Sequence, residues 1–286
     1  MAADHRRRKA VPMTSGQDIR LLLTDVDGTL VTNDKVLTPA AVAATKALRA
    51  AGIGLTIVSS RPPYGLRMLV EPLDLQLPMA GCNGGILVNP DLTIIETHPI
   101  DPATAERTVA FLAGCGLDVW VYTETQWFVP DAKGPHVERE AWILKADPVV
   151  ATTFSAADLA QAVKIVGVSD DFPKVAAAEA RAPDGLGDGV SATRSAAHFL
   201  DVTHPLANKG AVVETLARRM NISTDQIATI GDMPNDVLMF HKSGLSIAMG
   251  NASGAVQAQA HAVTDSNQDD GFAKAVRRFI LPPETP

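Results

Sequence analysis

The chain has 286 residues, a formal net charge of −7 and 46% hydrophobic residues. That allows one large domain or two modest ones with a packed core, and the acidic balance argues against nucleic acid as the main partner. No apolar run could span a bilayer, and Cys82 and Cys115 show no CxxC or zinc spacing, so a reduced, cytoplasmic protein is expected.

Residues 1–17 are basic but lack an apolar h-region, and they read as a disordered or tag-like tail rather than a secretory signal. IRLLLTDV, from Ile19, is apolar on both faces, as a buried parallel strand would be. Thr38 and Pro39 then open the helix AAVAATKALRA, with Thr38 as N-cap, Pro39 in the first turn and Gly52 past the end. IGLTIVSS predicts a second strand, PPYGLRMLV a helix and LPMAGCN a third strand. The βαβαβ order predicts an α/β fold, a doubly wound, Rossmann-like parallel sheet.

The texture changes after Gly85. ILVNPDLTIIET predicts a hairpin around Asn89-Pro90-Asp91. DPATAERTVAFLAGCG predicts a helix capped by Asp101, and LDVWVYT and QWFVP predict short strands. PDAKGPHVEREA reads as a loop. AVKIVGV predicts a strand, DFPKVAAAEARA a helix, and GVSATR and AHFLDVT two further strands. Residues 86–195 are therefore expected to form an inserted α+β module, with 18–85 and 196–286 as the core. The first texture resumes with the helix NKGAVVETLARRM, the strand QIATIGD, the helix PNDVLMFHKSG, the strand LSIAMG and the final helix GFAKAVRRFI.

Asp25 and Asp27, two apart at the end of the first strand, face the same side about 6–7 Å from each other. At the carboxyl end of a parallel strand they look into the crevice where open α/β sheets bind ligands. Asp27-Gly28 could equally be a plain turn. A calcium loop fails on spacing, because Leu30 and Val36 stand where its glycine and glutamate belong.

IATIGDMPND puts Asp232 at the end of another apolar strand, with Asn235 and Asp236 opening the next helix. An N-cap role covers Asp232 or Asn235, but not the recurrence of strand-end acids. Carboxylates around one crevice require a cation, and hard oxygen ligands suit Mg²⁺. Ser59 and Ser60 end the strand IGLTIVSS as caps or as hydroxyl ligands. Lys209 stands at a helix start, against the dipole, which hints at an anionic partner.

DVDGT, SSRP, NKG and GDMPND, in this order, resemble the four motifs of the haloacid dehalogenase (HAD) superfamily of phosphatases. The insertion, with CNGGILV and HFLDVT, resembles the Cof-type branch and its α/β cap. The resemblance implies that Asp25 is a nucleophile forming an aspartyl-phosphate and that Asp27 is the general acid and then the base. It implies that Ser59 and Lys209 hold phosphoryl oxygens, and that Asp25, the main-chain carbonyl of Asp27, and Asp232 bind Mg²⁺. It places Asp236 behind the metal's waters, Asn235 near the phosphate or substrate, and Asn83 in a turn near the substrate. The family has Thr-Gly-Arg where this chain has Ser59-Ser60-Arg61. Serine supplies the same hydroxyl, while Ser60 narrows the approach or favours another backbone angle.

Phosphoryl transfer asks for these residue types independently: a carboxylate nucleophile, and positive and hydroxyl groups around the oxygens in flight. Asp27 is expected to hold a proton if its side chain avoids the metal, because neighbouring negative charge raises its pKa. Trp120, Tyr122, Trp127 and His136 are either core or substrate-stacking residues. His198, His204 and His241 lack ligand spacing.

The expectation is a Mg²⁺-dependent phosphomonoester hydrolase of small phosphorylated metabolites, sugar phosphates first. The alternatives are a flavin-precursor or pyridoxal phosphate phosphatase, a phosphomutase, and a weakly active phosphate-binding regulator.

Overall fold

The computed structural model describes residues 18–282, so the expected tail at 1–17 lies outside the described residues. Its strands in chain order are β1 (Leu21–Thr24), β2 (Gly54–Ile57), β3 (Met79–Gly81), β4 (Ile86–Val88), β5 (Ile94–Thr97), β6 (Asp118–Tyr122), β7 (Trp127–Val129), β8 (Val149–Val150), β9 (Lys164–Val168), β10 (Ser191–Ala196), β11 (Phe199–Thr203), β12 (Ile227–Gly231), β13 (Leu245–Ala248) and β14 (Ala262–Val263).

Five of these strands form a parallel sheet in the order β14-β13-β12-β1-β2. Leu21, Leu22 and Leu23 of β1 are fully buried, and successive side chains enter opposite layers. Leu22 packs with Ala41, Ala44 and Leu48 of the helix Pro39–Ala50. Leu21 and Leu23 pack with Val213 and Leu216 of the helix Lys209–Met220. Helices therefore cover both faces, as expected of a doubly wound sheet. The Thr38 hydroxyl accepts from the Ala41 amide and caps the first of these helices, a contact worth about 1 kcal/mol.

β1 and β12 are direct neighbours, with Thr24 opposite Ile230. Residues just past their ends, Asp25 and Asp232, therefore emerge side by side. The amide of Asp25 donates to the Ile230 carbonyl at 2.9 Å, which fixes the backbone at that edge.

A second, six-stranded sheet runs β10-β11-β9-β6-β7-β8. Val119, Val121, Ile165, Leu200 and Val202 cover one face under the helices Pro102–Gly114 and Phe172–Leu186. The alternate residues Trp120, Tyr122 and Val166 pack on the other side, in the same cluster as the parallel sheet.

Two differences from the expected elements have local causes. β3 belongs to an antiparallel sheet with β4 and β5 and joins the parallel sheet through the Val58–Ala80 bridge. The hairpin 86–97 is thus tied to β3 by its hydrogen bonds. Lastly, Val137–Leu144 is a helix where PDAKGPHVEREA was expected to be a loop. Val137, Glu140 and Leu144 are buried at helical spacing, and the Pro and Gly that suggested a loop lie before its first turn.

Candidate active site

Lys209 is the centre of the site. It is 1% exposed, and its ammonium donates to Asp25 Oδ1 at 2.5 Å and to Asp236 Oδ1 at 2.7 Å. Asn208 caps its helix by accepting from the Ala211 amide, which holds the lysine at the first helical position. Burial alone would lower the Lys209 pKa, but the charges of Asp236 and Asp25 outweigh it and raise it. The lysine is therefore a permanent cation.

Oxygen atoms of Asp25, Asp232 and Asp236 lie within 4.8 Å of one another. Asp236 uses its second oxygen to accept from the amides of Asp232 and Met233, each at 2.8 Å. Both of its oxygens are thus engaged, one by the Lys209 ammonium and one by the loop amides. Asp232 accepts from the Thr29 hydroxyl at 2.7 Å and from the Asn251 amide at 3.3 Å. Asn251 also donates to the Gly28 carbonyl, so it ties the two acidic loops together.

Gly28 has φ +83°, and a Cβ there would stand 2.4 Å from Asp232 Oδ2. Glycine is required at this point by both conformation and space.

Burial pushes Asp25 up to about 7; Lys209 opposes that rise, and the charges of Asp236 and Asp27 add to it. Burial also raises Asp232 strongly, with Asp25 and Asp236 contributing. Three buried carboxylates facing one ammonium are under-neutralised, and every donor in the set is a hard oxygen. That fits a divalent cation such as Mg²⁺.

Asp27 departs from expectation. Arg61 grips it with Nε to Oδ2 at 2.7 Å and a terminal nitrogen to Oδ1 at 2.6 Å. Lys35 adds a third contact at 2.7 Å. Burial would raise this carboxyl, but the hydrogen bonds and charge of Arg61, joined by Lys35, hold it well below the usual range. The contacts with Arg61 and Lys35 therefore favour the ionised form of Asp27 in this arrangement: two cations outweigh the neighbouring acids.

Ser59 is buried, and its hydroxyl accepts from the Arg61 amide at 3.1 Å. Its carbonyl accepts from the amide of Asn83. Asn83, at φ 59°, accepts from the Asn235 side chain at 3.0 Å and donates to Asp201 at 2.8 Å. The structure therefore brings Asp25, Asp232, Asp236 and Lys209 together, links Asn83 with Asn235, and turns the Asp27 side chain toward Arg61.

Sequence reasoning assigned no role to Arg61, Lys35, Thr29 or Asn251. Arg61 and Thr29 lie inside SSRP and DVDGT, and Asn251 follows an apolar strand end as the acids do. Lys35 carries no such signal. Trp120, Tyr122 and Trp127 are each 1% exposed and pack on one another, so they are core. His136 stacks on His198 at 3.9 Å and pairs with Asp170. His204 stacks on His98, and His241 bonds Gln259.

The family model for haloacid dehalogenase-like hydrolases matches residues 22–276. The chain is 27% identical over 271 residues to a pyridoxal phosphate phosphatase of Escherichia coli, covering 92% of this chain and 99% of that protein. It is 25% identical over 287 residues to a 5-amino-6-(5-phospho-D-ribitylamino)uracil phosphatase of Bacillus subtilis, covering 92% and 98%. A solved HAD phosphatase from Bacteroides thetaiotaomicron superposes with a TM-score of 0.76 at 27% identity, covering 94% and 97%.

Proposed function

Because the chain belongs to the haloacid dehalogenase-like hydrolases and is a phosphatase of small phosphorylated metabolites, we propose that it hydrolyses phosphomonoesters with Asp25 as nucleophile and Mg²⁺ as cofactor. The observation that carries this reading is the buried cluster of Asp25, Asp232 and Asp236 around the Lys209 ammonium.

Asp25, the main-chain carbonyl of Asp27, and Asp232 would hold the metal, with Asp236 behind them. Bound there, Mg²⁺ would neutralise negative charge on the transferring phosphoryl group. An Asp25 oxygen attacks phosphorus as the ester oxygen leaves, giving an aspartyl-phosphate. Lys209 and Ser59 take the phosphoryl oxygens. Asp27 gives a proton to the leaving alcohol and then takes one from the attacking water. The Arg61-paired, ionised Asp27 is suited to the second of those steps. Its acid role requires the pair to open, so that Asp27 gains a proton before the alcohol leaves.

Sugar phosphates are the substrates this reading favours. The activities of the two relatives support a second reading, a phosphatase of pyridoxal phosphate or of a flavin precursor.

A screen of phosphorylated metabolites with Mg²⁺, and with Asp25→Asn as control, tests the proposal. Phosphate release that EDTA abolishes, Mg²⁺ restores and Asp25→Asn lacks is expected. Near-normal release by the variant would overturn the role of Asp25.

A further inference from the structure

Residues 59–61 carry the hydroxyl proposed to meet the phosphoryl group, and the carbonyl of each is held by a donor from elsewhere in the chain. The Ser59 carbonyl accepts from the Asn83 amide and the Arg61 carbonyl from the Cys82 amide, both just past β3. The Ser60 carbonyl differs. Its donor is the Lys164 ammonium at 2.8 Å, which comes from β9 of the six-stranded sheet.

Strand register accounts for that reach. Lys164 and Val166 lie two apart on β9 and so share a face. Val166 packs toward the parallel sheet with Trp120 and Tyr122, and Lys164 stands opposite Tyr122 of β6. The Lys164 ammonium is 4.2 Å from the centre of the Tyr122 ring and 3.9 Å from the Asp201 carboxylate. The residue is 4% exposed, and a buried ammonium is costly unless its protons are bonded. Asp201 is beyond hydrogen-bond distance and Tyr122 offers a ring face. The hydrogen bond of this head group therefore goes to the loop of the parallel core and not to its own sheet.

The Ser60 carbonyl and the Arg61 amide belong to one planar trans peptide and point in opposite directions. The Arg61 amide donates to Ser59 Oγ at 3.1 Å. Holding the carbonyl thus fixes the direction of that amide. An ammonium on the carbonyl also polarises the peptide and strengthens the bond its amide gives. Ser59 Oγ accepts that bond with a lone pair, which leaves the hydroxyl proton for an anion.

Resting on the phosphatase reading above, we propose that Lys164 is a positioning residue. By gripping the Ser60 carbonyl from the second sheet, it holds the Ser60–Arg61 peptide so that its amide aims the Ser59 hydroxyl at the transferring phosphoryl group.

The inhibition constant of inorganic phosphate, measured with Mg²⁺ against the best ester of the metabolite screen, reports how well the site holds a phosphoryl group. It does not depend on the fraction of protein folded. Ser59→Ala should raise it about tenfold or more, as loss of a hydrogen bond to a charged group does. Lys164→Met keeps an apolar stem but removes the donor, and should raise it by the same order. Because Lys164 acts through Ser59, the variant carrying both changes should lie within about twofold of Ser59→Ala alone. Should Lys164→Met not fold, Lys164→Gln, whose shorter neutral head stops short of the Ser60 carbonyl, is measured in its place.

An unchanged constant in the Lys164 variant, with only the maximal rate lowered, would reduce Lys164 to a structural role. Losses that multiply in the double variant would mean a charge acting across space and not through the serine. Either result would overturn the inference, as would a Ser59→Ala constant equal to that of wild type. A wild type that cleaves no phosphate ester would instead overturn the phosphatase reading itself.

Discussion

Without divalent cations, the acid cluster should take up protons, and that should make the stabilisation by Mg²⁺ depend on pH. In the folded chain burial pushes Asp25 up to about 7, against the pull of Lys209, and raises Asp232 in the same direction. In the unfolded chain such carboxyls titrate near ~4. Between those limits the folded protein binds more protons than the unfolded one. This contribution is therefore fully present below about pH 4 and is lost as pH rises through about 7. A divalent cation competes for the same oxygens, so its stabilisation runs the other way and is greater at pH 8 than at pH 5.5.

At pH 5.5, a proton on a site that titrates at about 7 lowers metal affinity by about 1.5 powers of ten, or ~2 kcal/mol. For a chain of this size that is roughly 4–8 °C in Tm. His198 is held down at about 4, by burial first and then by His136. Its contribution is present above about 6.5 and is lost as pH falls toward about 4, opposing the trend of the acids. The informative quantity is therefore the Tm difference with and without Mg²⁺ at each pH, in which His198 cancels. Calorimetry on EDTA-treated protein at pH 5.5 and 8 supplies it. Equal Mg²⁺ shifts at both pH values, or no shift at either, would refute the reasoning.

Lys209→Met leaves three buried acids without their ammonium and should lower stability by about 3–5 kcal/mol, with phosphate release lost; chemical denaturation and an activity assay check both. Arg61→Ala removes the bidentate partner of Asp27, so the Asp27 pKa should rise. The pH–rate profile should show its acid limb moved to higher pH. Gly28→Ala forces a residue with φ +83° against Asp232, at a strain of about 1–2 kcal/mol, and should weaken Mg²⁺ binding measured by titration calorimetry.

The parallel core was legible because buried strands with acids at their ends are a local pattern. LLLTDVDGT and IATIGDMPND each carry that pattern unaided, and the pairing of β1 with β12 then sets the two acids side by side. Local caps such as Thr38 and Asp101 were readable for the same reason.

What could not be read depends on partners that the local apolar pattern does not name. The state of Asp27 is decided by Arg61 and Lys35, whose side chains reach it only in the folded molecule. β3 runs beside the parallel sheet but takes its ladder from the hairpin that follows, and no alternation of apolar residues distinguishes those two arrangements. The helix Val137–Leu144 was hidden because its inward face includes Glu140. Burial raises that carboxyl, against the pull of Lys164, and a charged letter breaks the apolar stripe that would have signalled a helix.

The direct test of the mechanism is to stop turnover chemically and locate the phosphoryl group by mass spectrometry of the digested protein. The mechanism predicts an acyl phosphate on the peptide containing Asp25, absent from Asp25→Asn. A phosphoryl group on another residue, or turnover by the asparagine variant at the wild-type rate, would contradict it.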